Sequence, residues 1–190
     1  NSGFSHRIML CAYQMQPDHY AAYELNIPES GNATPDVLDE MLVNLRWMLT
    51  MQDPADGGVY HKLTTPNFEG FVMPAEAHQP RYVVKKTTAA ALDFAATMAQ
   101  AYRVYAKYPE YADFVAQTLP AAEKAYAWAI KHDNEPYLQN KLNEEFQPAI
   151  FTGAYDDMSF GDEFFWAATE LYLSTGKETY LADVKKNIPQ

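Results

Sequence analysis

Residues 26–41 read NIPESGNATPDVLDEM, a cluster of turn formers that passes into a helical pattern. Pro28, Ser30, Gly31, Asn32 and Pro35 punctuate the first half as a loop. The second half predicts a helix start with Thr34 as N-cap, Pro35 at the first helical position and Asp36 in the first turn. Behind it Leu38, Met41, Leu42, Leu45, Met48 and Leu49 recur at spacings of three and four, one apolar stripe along a helix. A loop this specific ahead of an ordinary helix raises the question of which reaction it serves.

The same period continues outward. Residues 87–105, TTAAALDFAATMAQAYRVY, repeat it, and their alanines favour both helix formation and close helix packing. Residues 110–131 predict a third helix, with Pro120 expected to kink it or split it in two. Residues 162–174 predict a fourth, stopped by Gly176, with a restart near Glu178; residues 4–15 also read as helix. Between them lie two long connections. Residues 52–86 carry an expected short hairpin around GVYHKL, and residues 132–161 contain FTGAYDDMSFGDE. Loops this long inside a compact domain usually carry function. The expected fold class is all-α: antiparallel helical hairpins in a single domain spanning residues 1–190, without the short repeat of a solenoid.

Composition narrows the partners. A net charge of −11 argues against nucleic acid and against an anionic membrane surface, and it accommodates a neutral ligand. The 14 tyrosines suit cores, interfaces and sugar-binding surfaces alike. Cys11 stands alone, so the chain has no internal disulfide; in IMLCAY it reads as a small buried hydrophobe or, less often, a reactive thiol. No apolar run reaches the roughly 20 residues of a membrane span. The chain starts with Asn rather than Met, so an export signal removed by processing would leave no trace. Asp36 and Glu40 form an i, i+4 acidic pair of the kind found on solvated helix faces or as helix-start charges. His6, His19, His78 and His132 show no metal-ligand spacing. Asn32-Ala-Thr34 is a glycosylation sequon, relevant only to a eukaryotic secretory route.

Taken in order, LNIPESGNATPDVLDE, MQDPADGGVYHKLTT, FVMPAEAHQPRYV, TTAAALDFAATMAQAYRVY and TGAYDDMSFGDEFFWAATELYLSTG resemble glycoside hydrolase family 9, the inverting cellulases and related β-glucanases. The resemblance covers essentially the whole chain, and its first two segments are specific in combination. It implies an (α/α)6 barrel of six helical hairpins, with the substrate cleft at one end and loops of the NIPESGN type at that end. Inversion needs two carboxyl groups roughly 6.5–9.5 Å apart, one activating water and one protonating the leaving oxygen. The resemblance places the first in a DAGD segment upstream of NSGF and the second beyond NIPQ. The chain is therefore expected to be an internal part of the barrel, without a catalytic residue of its own and inactive alone.

The resemblance also implies binding residues. His61, in GGVYHK, corresponds to a histidine that touches sugar in the cleft; from the residues alone it reads first as an exposed or hydrogen-bonded loop histidine. Tyr155, in TGAYDD, resembles a cleft tyrosine whose face stacks on a pyranose, and Tyr60 is a further candidate. Ser159, Asp162 and Glu163 resemble part of a structural calcium site, although the spacing is one residue shorter than in some members. Read without the resemblance, Asp162 and Glu163 complement the start of the following helix. No organic cofactor is expected. The expected ligand is a β-glucan polysaccharide or oligosaccharide, and the parent is expected to be secreted, periplasmic or on the cell surface. Barrel faces left without neighbours would favour self-association. Two rivals remain: a helical scaffold or glycan-binding module without catalysis, and a helical-barrel glycosidase of other specificity.

Overall fold

The computed structural model describes residues 2–189. Its helices are α1 (Ser2–Met15), α2 (Pro17–Ala21), α3 (Asp36–Thr50), α4 (Thr88–Tyr105), α5 (Ala112–Lys131), α6 (Gln139–Glu145), α7 (Gly161–Thr175) and α8 (Glu178–Lys186). Two strands of two residues, β1 (Leu63–Thr64) and β2 (Tyr82–Val83), pair antiparallel. Among the described residues no helix is long and apolar enough to cross a membrane.

The central element is α4, which packs against α1, α5 and α7. Ala91, Ala95, Ala96, Ala99 and Ala101 are fully buried, and their small side chains let three helices approach one axis. Thr87 caps α4 by accepting the Ala90 N–H. On α3 the expected stripe is buried at Leu38, Met41, Leu42, Leu45 and Met48, and Leu49 packs against it from the side. The Tyr105 hydroxyl donates to the Leu38 carbonyl at 2.6 Å and ties α4 to α3. At the end of α7, Gly176 adopts the left-handed φ of 67° that terminates a helix with little strain.

Two expectations are corrected. Pro35, not Thr34, occupies the N-cap of α3, its carbonyl accepting from Leu38 N–H at 2.8 Å. The Thr34 hydroxyl instead donates to Glu110 at 2.6 Å, bridging to the 3-10 turn Pro109–Tyr111 ahead of α5. Pro120 does not split α5, which runs unbroken for 20 residues. Both Pro120 and Ala116, whose carbonyl loses its i+4 donor, face solvent, where water replaces the missing bond. The expected short hairpin is present: Val59 pairs antiparallel with Gln52 across the 53–58 turn, and Tyr60 N–H donates to the Met51 carbonyl at 3.0 Å. The segment also pairs across the long connection, Leu63 with Val83, Thr64 with Tyr82 and Tyr60 with Lys86.

The NIPESGN loop is a collar on the start of α3. Asp36 accepts from Leu25 N–H at 2.7 Å and from the Ser30 hydroxyl at 2.5 Å, while Asn32 and Tyr111 both donate to Asp39. Its residues do not line the cavity that lies at the opposite end of α3 beside Trp47, Met48 and Met51. Fifteen residues separate the two ends by about 20 Å, so the loop orients its helix and does not floor this cavity.

Candidate functional site

The site is built on the segment after α3. Asp53 and Gly58 exchange backbone bonds around the DPADGG turn, Gly57 N–H to Asp53 carbonyl and Asp53 N–H to Gly58 carbonyl, each at 2.8 Å. Gly57 takes φ of 91°, a left-handed conformation that glycine adopts without strain. Lys86 Nζ pairs with Asp53 at 2.9 Å and Asp56 at 2.7 Å, and Trp128 Nε1 donates to Asp56 at 3.2 Å. The Ala55 N–H and Lys86 hold Asp53 below the usual carboxylate range, and Lys86 does the same to Asp56. This turn launches residues 59–64 with Val59 in the core and Tyr60, His61, Lys62 and Leu63 along a cavity of about 290 Å³.

Tyr60, His61, Tyr155 and Glu163 all line this cavity, so four of the six residues singled out in the sequence converge. Ser159 and Asp162 do not line it and are exposed. Tyr155 is 59% exposed and takes φ of 59°, left-handed for a residue with a side chain. Its ring folds back on Gly153, where an added Cβ would stand 3.1 Å from ring carbons.

The geometry fixes the proton on His61. Its Nε2 lies 3.3 Å from the Ala154 carbonyl, which can only accept, so Nε2 carries the hydrogen. Nδ1 then accepts from the Thr87 hydroxyl at 3.0 Å, leaving a Thr87 lone pair for the Ala90 N–H. Burial pushes the His61 pKa below its ordinary value, consistent with this neutral form. One ring face stacks on Tyr137 with centroids 4.5 Å apart. Both nitrogens are engaged, Nε2 through the longer bond. Since the folded pKa lies below the unfolded one, the stability held by neutral His61 is complete above about pH 6.5 and is lost as pH falls from there through the folded value. Urea midpoints at pH 7.5 and 5.5 should therefore fall more for the native chain than for His61→Gln; equal falls refute the assignment.

Two cavity carboxyls are raised. Burial pushes Glu163 up to about 8, with Asp157 and Asp162 adding to the effect. Burial likewise raises Asp93, on α4, to about 6. Asp93 escaped the motif reading; its signal was the lone carboxylate of an alanine-rich helix. Glu163 Oε2 is buried without a hydrogen-bond partner, and the carboxylates of Asp157 and Asp162 stand near it, hard oxygens of the type a cation such as calcium takes. Among the described residues, however, no three His, Cys, Asp or Glu side chains are gathered closely enough to hold an ion by themselves.

Residues 1–190 match the sequence profile described as "Glycosyl hydrolase family 9". The chain belongs to glycosyl hydrolase family 9. The xyloglucan-specific endo-beta-1,4-glucanase BoGH9A of Bacteroides ovatus is 60% identical over all of this chain and 32% of its own length. A solved Bacteroides ovatus GH9 structure superposes with a TM-score of 0.98, covering 100% of this chain and 35% of that one. AaCel9A, solved in complex with cellobiose-like isofagomine, superposes at 0.87 with 29% identity, over 100% of this chain and 34% of its own. The chain spans about a third of the length of the curated relatives it matches. The helical hairpins of this family 9 chain thus form part of an (α/α)6 barrel.

Proposed function

We propose that this chain forms part of the sugar-binding wall of an inverting β-1,4-glucanase acting on a decorated β-glucan of the xyloglucan type. The observation that carries the reading is the convergence of His61, Tyr60 and Tyr155 on one cavity. The 60% identity to a relative named xyloglucan-specific supports the substrate class. Exposed Tyr155 offers an aromatic face to a pyranose, and His61 Nε2–H offers a donor to a hydroxyl. The base and acid of the inverting reaction come from other segments of the parent, so the chain alone does not cleave glucan. A polymeric substrate cannot enter a cell, which favours a secreted or cell-surface parent.

Calcium, held by Asp162 and Glu163 with Ser159, would neutralise the acidic side of the cavity and play a structural part. The exposed apolar stripe of Phe4, Ile8 and Met15 on α1, with Val43 on α3, offers a seat for neighbouring barrel hairpins and, in the isolated chain, for self-association.

The test combines binding and turnover. Xyloglucan oligosaccharide titrated calorimetrically into the chain should bind weakly, and His61→Ala and Tyr155→Ala should each lower the affinity by about tenfold, the loss of one stacking or hydrogen-bonding contact. Reducing-sugar release from xyloglucan by the chain should not exceed a boiled control. Binding unaffected by both substitutions overturns the site. Release above the control favours a second reading, in which Asp93 and Glu163, the cavity carboxyls with raised pKa values, work as acid and base.

A further inference from the structure

Lys62 extends from the cavity strand into a half-buried position where it meets no carboxylate. Its ammonium carries three protons, and three neutral acceptors surround it: the Gly153 carbonyl at 2.6 Å, Gln139 Oε1 at 2.8 Å and Thr152 Oγ1 at 3.2 Å. It also lies 5.2 Å from the centre of the Tyr137 ring, the ring that carries His61 on its face. No ion pair of Lys62 is present among the described residues. Burial lowers its pKa, a cost that an ordinary surface lysine avoids.

The acceptors show what the ammonium secures. The Thr152 hydroxyl also meets Thr64 at 2.7 Å, the Thr152 carbonyl accepts from Gln139 at 2.8 Å, and Phe151 N–H donates to the Pro66 carbonyl at 2.7 Å. The chain is thus tied to β1 as far as Thr152 without Lys62. The Gly153 carbonyl is the last tie before Ala154, which accepts from His61, and Tyr155, which is left-handed. A non-glycine residue at such a φ is strained and persists only where its surroundings impose it.

We propose that Lys62 is a positioning residue for the glucan: by holding the Gly153 carbonyl it fixes the left-handed Tyr155 and the Ala154 carbonyl against the His61 side of the cavity. This rests on the sugar-binding reading above, and it adds the residue that sets the geometry for β-linked glucosyl units. Lys62 itself need not touch sugar.

Two measurements test it. In the full-length parent, Lys62→Met should raise KM for a xyloglucan oligosaccharide about tenfold with a smaller change in kcat. In a Tyr155→Ala background it should add little, because the residue it positions is gone. Unchanged KM, or effects of the two substitutions that multiply fully, overturns the proposal. The second measurement is independent of catalysis. In the 190-residue chain labelled with fluorotyrosine, the Tyr155 fluorine resonance, assigned by its loss in Tyr155→Phe, should move toward the free-tyrosine position in Lys62→Met. A resonance that stays in place overturns the proposal even if the parent cleaves no glucan. A shifted resonance in a parent that cleaves no glucan keeps the clamp and defeats only the substrate reading.

Discussion

Arg103→Leu is expected to destabilise the chain by about 3–5 kcal/mol, the usual cost of stranding one partner of a buried ion pair. Arg103 stands near the end of α4 and reaches α7. One guanidinium nitrogen shares its two hydrogens among the Glu170 carbonyl at 2.9 Å, Ser174 Oγ at 2.7 Å and the more distant Ala99 carbonyl at 3.3 Å, while the other binds the Glu170 carboxylate. The side chains are only 20% and 11% exposed, so solvent screens the pair weakly. Leucine fills part of the volume but leaves the Glu170 carboxylate buried without a counter-charge. The double replacement, Arg103→Leu with Glu170→Leu, should cost less than Arg103→Leu alone, because the stranded charge has gone. Urea denaturation of the three proteins decides the matter. A single-variant loss below about 1 kcal/mol would mean that the pair behaves as a surface contact.

Gly57→Ala is expected to cost about 2–4 kcal/mol, from two separable sources. A Cβ forces a side chain into φ of 91°, worth roughly 1–3 kcal/mol. It also meets Lys124, with Cγ at 2.5 Å and the backbone carbonyl at 3.0 Å, an overpacking worth about 1–3 kcal/mol. Gly31 provides the control. Its φ is 94°, but an added Cβ meets nothing within 4 Å, so Gly31→Ala carries only the backbone share. The difference between the two urea-derived losses isolates the steric part, and equal losses would show that Lys124 gives way. Because the Gly57 turn launches Tyr60 and His61, Gly57→Ala should also weaken oligosaccharide binding, whereas Gly31→Ala, at the far end of α3, should not.

The helices were legible because their signal is local. The stripe from Leu38 to Met48 and the alanine run of α4 need only a period near 3.6 to be read, and both are buried as that period requires. Thr34 misled because its hydroxyl finds Glu110, which lies 76 positions away, and no local pattern announces that partner. Pro120 leaves α5 unsplit because the cost of its orphaned carbonyl depends on whether that carbonyl is wet, a property of the folded surface. The short helices α2 and α6 went unread because neither buries a residue, so no apolar stripe marks them. At the site, resemblance picked out His61 and Tyr155, and the cavity brings them together. The roles of Thr87, Lys62 and Asp93 could not be read, because each is defined by neighbours from distant elements.

The excursion between β1 and β2 has a consequence for how such barrels diversify. Its base is clamped by the Leu63–Val83 and Thr64–Tyr82 pairs and by the bond between Pro66 and Phe151, and its waist by Glu69 accepting from Gln79 N–H. Beyond that point the segment is exposed, with Phe71 and Met73 on the outside. Lengthening a loop whose ends are already joined costs only about 0.6 kcal/mol per doubling. Insertions here can therefore accumulate during evolution almost without penalty to the barrel. Each one alters the rim of the cavity beside Leu63, so its outline can drift while the helices beneath remain unchanged.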